Sequence, residues 1–361
     1  MASPRLTEFG LHRVMLSLDR PYPVAFTTFT ELDAIVVEAL DERAHVGWGE
    51  VTIVPLYTNE TVESGWKFCK TQLPSLLGRS VAQGKRALVP HLSFAPHAVS
   101  AVMASLEMLD GDSLLRQSTV TRVPVLAPVR NIDQAAIAAE VEDLVAAGHR
   151  TLKVKVGFAA VESDLARLQF IAQCAAGRAR LRVDANQGYD VTTGVRFAKS
   201  LDPETVELFE QPCHMTDWEG NTRVAAQSAV PVMLDESVYT FDDIRRAAEL
   251  PGVGFVKLVM EKPGGLRLTL AGLELIRAYG MEPVIGNGAA SDCTSWMEAC
   301  LASRAVAAAG EMHGFLKLRR PLLTPPLRFD RGDIVLDRGY SPTIDRNSLN
   351  AQAVASERFH L

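Results

Sequence analysis

The chain has 361 residues, an apolar fraction of 47% and a formal net charge of −6. That length exceeds one ordinary core, and the apolar share is that of a globular protein, so a large domain with a smaller companion is expected. Lys and Arg are scattered and no run approaches the roughly 18 apolar residues of a membrane span, so neither a nucleic acid nor a membrane is expected as a partner.

The first 20 residues carry charges throughout and lack the apolar stretch of a signal peptide. Residues 9–18 and 33–51 read as a β-meander, with Gly47-Trp48-Gly49-Glu50 near its end. Helical patterns follow at 61–77 and 96–115, the second opened by Pro96, a residue suited to a first helical turn. From 123–129 onward, short apolar strands alternate with amphipathic stretches. The first of these helices, 135–147, is alanine-rich and ends at Gly148 as a C-cap. Further strands are expected near 151–156, 181–185, 206–210, 231–235, 254–258, 282–286 and 311–316. Strands alternating with helices imply a parallel sheet, and eight of them imply closure into a barrel. After Pro325-Pro326, residues 327–336 read as a hairpin turning at Asp330-Arg-Gly-Asp333. The expected division is an α+β capping domain over 1–121, a barrel over 122–325, and a tail over 326–361 that returns to the cap. Cys69, Cys174, Cys213, Cys293 and Cys300 show no CxxC pair or zinc spacing and read as reduced thiols of a cytoplasmic enzyme.

Chemistry concentrates at the strand ends. Lys155, Asp184, Glu210, Asp235 and Lys257 close successive apolar runs at steps of 29, 26, 25 and 22 residues. A β/α unit takes roughly 30 residues, and barrel enzymes work at the C-terminal ends of their strands. Alone, each carboxylate is an ordinary capping or salt-bridge residue. In register on three consecutive strands, Asp184, Glu210 and Asp235 offer hard oxygen to Mg²⁺ or Mn²⁺. Side chains alternate along a strand, so Lys153 and Lys155 share one face, leaving Leu152, Val154 and Val156 to pack against helices. A lysine at its usual pKa is a poor base; burial and positive neighbours are expected to lower that of Lys155. A metal that chelates a substrate carboxylate stabilises the enediolate formed when the α-proton leaves, and lysines on both sides allow removal from either face.

The motifs Lys153-Val-Lys155, Asp184-Ala-Asn186-Gln-Gly-Tyr189, Glu210-Gln-Pro212, Asp235-Glu236-Ser237 and Lys257 resemble those of the enolase superfamily, muconate lactonizing enzyme subgroup, over essentially the whole chain. The resemblance implies a modified TIM barrel, (β/α)7β, under an α+β capping domain, assembled as a homo-oligomer (dimer or octamer). It implies Asp184, Glu210 and Asp235 as metal ligands and Lys155 and Lys257 as the acid/base pair. Lys153 would neutralise the substrate carboxylate or lower the pKa of Lys155. Asn186 and Glu236 would line the inner cavity, with Glu236 balancing the charge of Lys257. The mandelate racemase branch is disfavoured, because residues 284–288 offer no histidine.

Loops at 21–28 and 54–59 match those that close over the substrate in such enzymes, and Tyr22, Phe26 and Tyr57 would form an aromatic roof for an apolar or cationic group. The alternative is ordinary turns between strands. Residues 311–315 resemble the Glu-x-x-Gly of cycloisomerases and lack the Asp-x-Asp with which dipeptide epimerases hold a substrate ammonium. Glu311 is thus a candidate substrate contact, while His313 either shares its face or packs in the core. The stretch 286–292 departs from the usual Gly-x-Met-x-Glu-Ser and leaves Asn287 at the end of strand seven. It mimics part of a GxGxxG, but its place inside a barrel argues against a dinucleotide. The expected activity is a racemase or epimerase acting at the α-carbon of a small carboxylate, an N-substituted amino acid or proline derivative. The alternative is a cycloisomerase or dehydratase using the same enediolate; a barrel decayed to a binding role stands against the complete set of ligands and lysines.

Overall fold

The computed structural model describes residues 4–24, 27–54 and 58–361. Three strands, β1 (Leu6–Val24), β2 (Thr27–Asp41) and β3 (Val46–Thr52), form an antiparallel meander. Helices α1 (Val62–Leu76), α2 (Val81–Leu88) and α3 (Pro96–Leu109) cover one of its faces and bury Phe9, Ile35, Val37 and Leu106. Thr61 with Ser64, and Ser80 with Gln83, close capping boxes that start α1 and α2. The helix expected over 96–115 stops at Leu109, and 113–115 is a separate 3-10 turn beyond Gly111 at φ +69. Gly47 and Gly49 let α3 lie directly on β3: a Cβ on Gly49 would come within 1.9 Å of the Ala101 carbonyl.

The β/α alternation follows. The stretch 123–129 divides at Val125 into β4 (Thr121–Pro124) and β5 (Ala127–Val129). Then come α4 (Gln134–Ala146), β6 (Thr151–Lys155), α5 (Val161–Ala175), β7 (Arg180–Asp184), α6 (Val191–Lys199) and β8 (Val206–Glu210). After these lie α7 (Trp218–Ala225), β9 (Val232–Leu234), α8 (Phe241–Ala248), β10 (Val253–Leu258), α9 (Leu266–Ala278), β11 (Glu282–Ile285) and α10 (Asp292–Ala305). Strands β5 to β11 pair in sequence order in one parallel sheet, as a βαβ series requires. Leu152, Val154 and Val156 are fully buried in the shared core, which leaves the alternate residues Lys153 and Lys155 for the barrel interior.

The expected eighth strand is replaced by something shorter. Residues 311–316, all described, form no strand. Gly310 bridges Val125, its carbonyl accepts from Leu126 N, and Glu311 N donates to Ile285 O at 2.9 Å, so two residues close the ring between β11 and β5. The Glu311 carbonyl then takes His313 N, and Gly314–Lys317 coils into a 3-10 turn. Gly314 presses onto the Ala290 backbone, too close for a continuing side-chain-bearing strand. The tail comprises β12 (Leu323–Thr324), β13 (Arg328–Asp330), β14 (Asp333–Leu336), β15 (Thr343–Ile344), α11 (Arg346–Gln352) and β16 (Ala353–His360). The β13–β14 hairpin turns where expected but pairs with β4, and β16 adds to the edge of the meander beside β1. Among the described residues no helix is long and apolar enough to cross a membrane.

Candidate active site

The ends of β6, β7, β8, β9 and β10, together with Glu311, bring Lys153, Lys155, Asp184, Glu210, Asp235 and Lys257 into one cluster. Lys153 Nζ lies 3.0 Å from Asp184 Oδ2, 2.9 Å from Glu210 Oε2 and 2.7 Å from Glu311 Oε2. Lys257 Nζ lies 2.6 Å from both Glu210 Oε1 and Asp235 Oδ2, and 2.9 Å from Glu311. Lys155, a quarter exposed (25%), donates to Asp184 Oδ2 at 2.5 Å and to Asn186 Oδ1. Lys153 is 1% exposed and stands behind Lys155, locked among three acids. Its geometry suits fixing those acids.

The expected depression of the lysine pKa values is not what the geometry gives. Burial pulls Lys155 down, but Asp184, with Glu311 behind it, outweighs burial and holds the amine above its usual value. The same balance, led by Asp184 and Glu210, raises Lys153, and Asp235 and Glu210 raise Lys257. Reciprocally, burial would raise Asp235, yet Lys257 and Lys262 keep it below the carboxylate range. Glu236 does not pair with Lys257: its Oε1 accepts from Asn186 Nδ2 at 3.1 Å and its buried Oε2 has no partner. Burial beside Asp235 and Asp184 pushes Glu236 up to about 8.

Local backbone aims these groups. Asn186, Gln187 and Gln211, at φ +40, +69 and +35, turn the chain sharply just past Asp184 and Glu210. The Gln211 side chain accepts from Asp235 N and Ser237 N and donates to Ser237 Oγ, tying the end of β8 to that of β9. Neither Gln211 nor Lys262 was singled out from sequence. Lys262 Nζ donates to Asp235 Oδ1 at 2.8 Å, and only its place five residues past Lys257 could have suggested it. Lys317 was also missed: its buried ammonium lies 3.4 Å from the Tyr22 ring centre and donates to the Gly288 carbonyl.

A cavity of about 90 Å³ opens over the cluster, walled by Tyr22 and Phe29 from the cap and by Lys155, Lys257, Asn287 and Glu311 from the barrel. Tyr22 therefore stands in the expected roof; Phe26 and Tyr57 lie outside the described residues. His313 packs edge-on against Tyr22, with Nδ1 on the Glu311 carbonyl and Nε2 unpartnered.

The donor set suits a hard divalent cation. Asp184 and Glu210 share Lys153, and Glu210 and Asp235 share Lys257, so three carboxylates converge on the positive charges between them. The unpartnered Glu236 oxygen offers a further acceptor beside them. Among the described residues no three such side chains are disposed for a metal as they stand; the ammonium groups occupy the spaces between them.

Residues 136–347 match the family model described as enolase C-terminal domain-like. An aromatic dipeptide epimerase of Herpetosiphon aurantiacus is 30% identical over 290 residues, 76% of this chain and 80% of that protein. Muconate cycloisomerase 1 of Rhodococcus opacus is 28% identical over 357 residues, 91% and 93% of the two chains. The muconate lactonizing enzyme of Pseudomonas fluorescens, solved with muconolactone, superposes with a TM-score of 0.90 at 23% identity, covering 98% of this chain and all of that one.

Proposed function

The chain belongs to the enolase superfamily, within the group of muconate lactonizing enzymes, and from that premise we propose that it is a racemase or epimerase of a small carboxylate, an N-substituted amino acid or proline derivative. Its relatives are isomerases that invert or rearrange at such centres, and this chain is an enzyme of that class. The observation that carries the finer reading is the position of two lysines. Lys155 on β6 and Lys257 on β10 are four strands apart in an eight-fold ring, so they face the same cavity from opposite walls.

Asp184, Glu210 and Asp235 are the residues that hold Mg²⁺ in this reading, with Mn²⁺ as a substitute. A divalent cation held there would supply the charge that stabilises the enediolate of the substrate carboxylate. The chain's own groups do the rest. One lysine, as the neutral amine, accepts the α-proton; the other, as the ammonium, returns a proton to the opposite face, inverting the carbon. Lys153 and Glu311 keep the acid cluster in place. Asn186, on Lys155 and Glu236 at once, orients the amine.

The strand-eight pair expected of a dipeptide epimerase is absent: Glu311 and His313 stand there, and Glu311 is taken up by two lysines. That position favours the second reading, a cycloisomerase or dehydratase in which only one lysine moves a proton. Exchange in D₂O with Mg²⁺ separates the two. Deuterium gain with inversion and no other change in composition is expected; loss of water or ring formation overturns the racemase reading.

A further inference from the structure

Beyond the acids that hold lysines, a further buried carboxyl, Glu261, lines the cavity. Glu261 follows β10 and is 1% exposed, yet it lines the cavity with Asn287, His97 and Thr52. Its Oε1 accepts from Asn287 Nδ2 at a long 3.3 Å, and its Oε2 has no partner. Behind it Glu298 of α10, fully buried, accepts from Met260 N through Oε1 and has an unpartnered Oε2. Glu50 of β3 completes the group, held by the hydroxyls of Thr52, Ser291 and Thr294. Of the other groups lining the cavity, His97 Nδ1 is bonded to Glu60 at 3.0 Å and Lys262 to Asp235 at 2.8 Å.

A buried carboxylate oxygen without a donor is expensive, and on a cavity wall the missing donor is one a ligand can bring. Burial, with repulsion from Glu50, holds Glu261 above the usual carboxylate range against the pull of His97, and burial with repulsion from Glu261 and Glu50 raises Glu298 further. We propose that Glu261, backed by Glu50 and Glu298, is the subsite for a protonated amine of the substrate. This rests on the proton-abstraction reading and narrows it: the nitrogen is a cationic amine, free or alkylated, and not an acylated, neutral one.

The test uses the full-length enzyme with Mg²⁺ and matched carboxylates that differ in nitrogen charge. Proline, N-methylproline, alanine and N-methylalanine are paired with their N-acetyl derivatives and, for proline, with the neutral isostere tetrahydrofuran-2-carboxylate. Binding is read by calorimetry and α-proton exchange by mass spectrometry. Wild type is expected to bind cationic members about 30-fold or more tightly than neutral ones, the size of effect seen when one member of a buried charge pair is lost. In Glu261→Gln that ratio falls toward one, and in Glu298→Gln, which leaves Glu261 in place, it falls by a smaller factor. Equal affinity for the two classes, no binding of any cationic member, or a preference that Glu261→Gln retains overturns the subsite. Failure of α-proton exchange in every member while the binding preference holds overturns the proton-abstraction reading and leaves the subsite standing.

Discussion

Two groups of buried acids lie within one cavity wall of each other and behave oppositely. Glu311 and Asp235, each bonded to lysine ammoniums, are held below the carboxylate range although burial alone would raise them. Glu298 and Glu261, as deeply buried but without a bonded cation, are raised. Depth alone does not decide the direction, and neither does one nearby cation: Glu210, with lysines at 2.6 and 2.9 Å, is raised by burial and by Asp184, so the full balance of neighbouring charges against burial sets each acid. The first group is therefore a charged device in which every member leans on another, whereas the second is a set of acids that the fold alone leaves unanswered.

The largest effect should come from breaking the charged device at its reacting amine. Lys257→Met is expected to lower racemisation by about 10³-fold or more, within the range of a lost general acid/base. Lys155→Met should do the same, with each variant sparing exchange of one enantiomer. Loss of exchange from both enantiomers in one variant and from neither in the other, followed by mass spectrometry, would leave one lysine purely electrostatic. Next comes Glu311→Leu. It strips one of three carboxylate partners from both Lys153 and Lys257 and should cost about 3–5 kcal/mol in denaturant unfolding, the sum of two lost hydrogen bonds between charged groups. A loss under about 1 kcal/mol would mean that Asp184, Glu210 and Asp235 satisfy the two amines without it.

How much of this was legible beforehand follows from the same contrast. The strand-end lysines and acids were readable because each closes an apolar run at the β/α repeat, a one-dimensional signal that closure of the barrel turns into proximity. The direction of the lysine shifts was not readable. It depends on Asp184 Oδ2 reaching both Lys153 and Lys155, and sequence adjacency showed only the two positive neighbours. The eighth strand was overestimated because Glu311-Met-His looks like a strand end, while its termination depends on Gly314 meeting the Ala290 backbone, 24 residues away in the chain. The unpaired wall was invisible for a related reason. Glu50, Glu261 and Glu298 come from β3, the loop after β10, and α10, with no shared period to connect them.

A smaller effect sharpens the unpaired side. Asp292 opens α10 and accepts only backbone donors, Leu322 N at 2.9 Å and Leu323 N at 2.7 Å. Burial outweighs both bonds and pushes it up to about 6 from 3.8. A carboxyl whose pKa is higher in the folded state binds its proton more tightly there. Its contribution to stability is full below about pH 4 and is lost as pH rises through about 6, an effect of order 3 kcal/mol. Wild type should thus lose more stability than Asp292→Asn between those pH values in urea titrations. Parallel losses would show that the two backbone donors keep the group ionised throughout.

The smallest effect is the most discriminating, because it sets the same residue type against Glu311. Glu298→Gln keeps the oxygen that accepts from Met260 N and replaces only the unpartnered one. Burial and Glu261 raise this acid well above its usual value, so while it keeps its proton the substitution removes little: a change under about 1 kcal/mol is expected. As pH climbs, wild type must begin to ionise a carboxyl that has no cation to receive it, and the variant should gain relative to it. Denaturant midpoints followed from acid to alkaline pH measure that gain. If Glu298→Gln instead costs as much as Glu311→Leu, Glu298 has a charged partner after all, and the distinction between the two acid groups collapses.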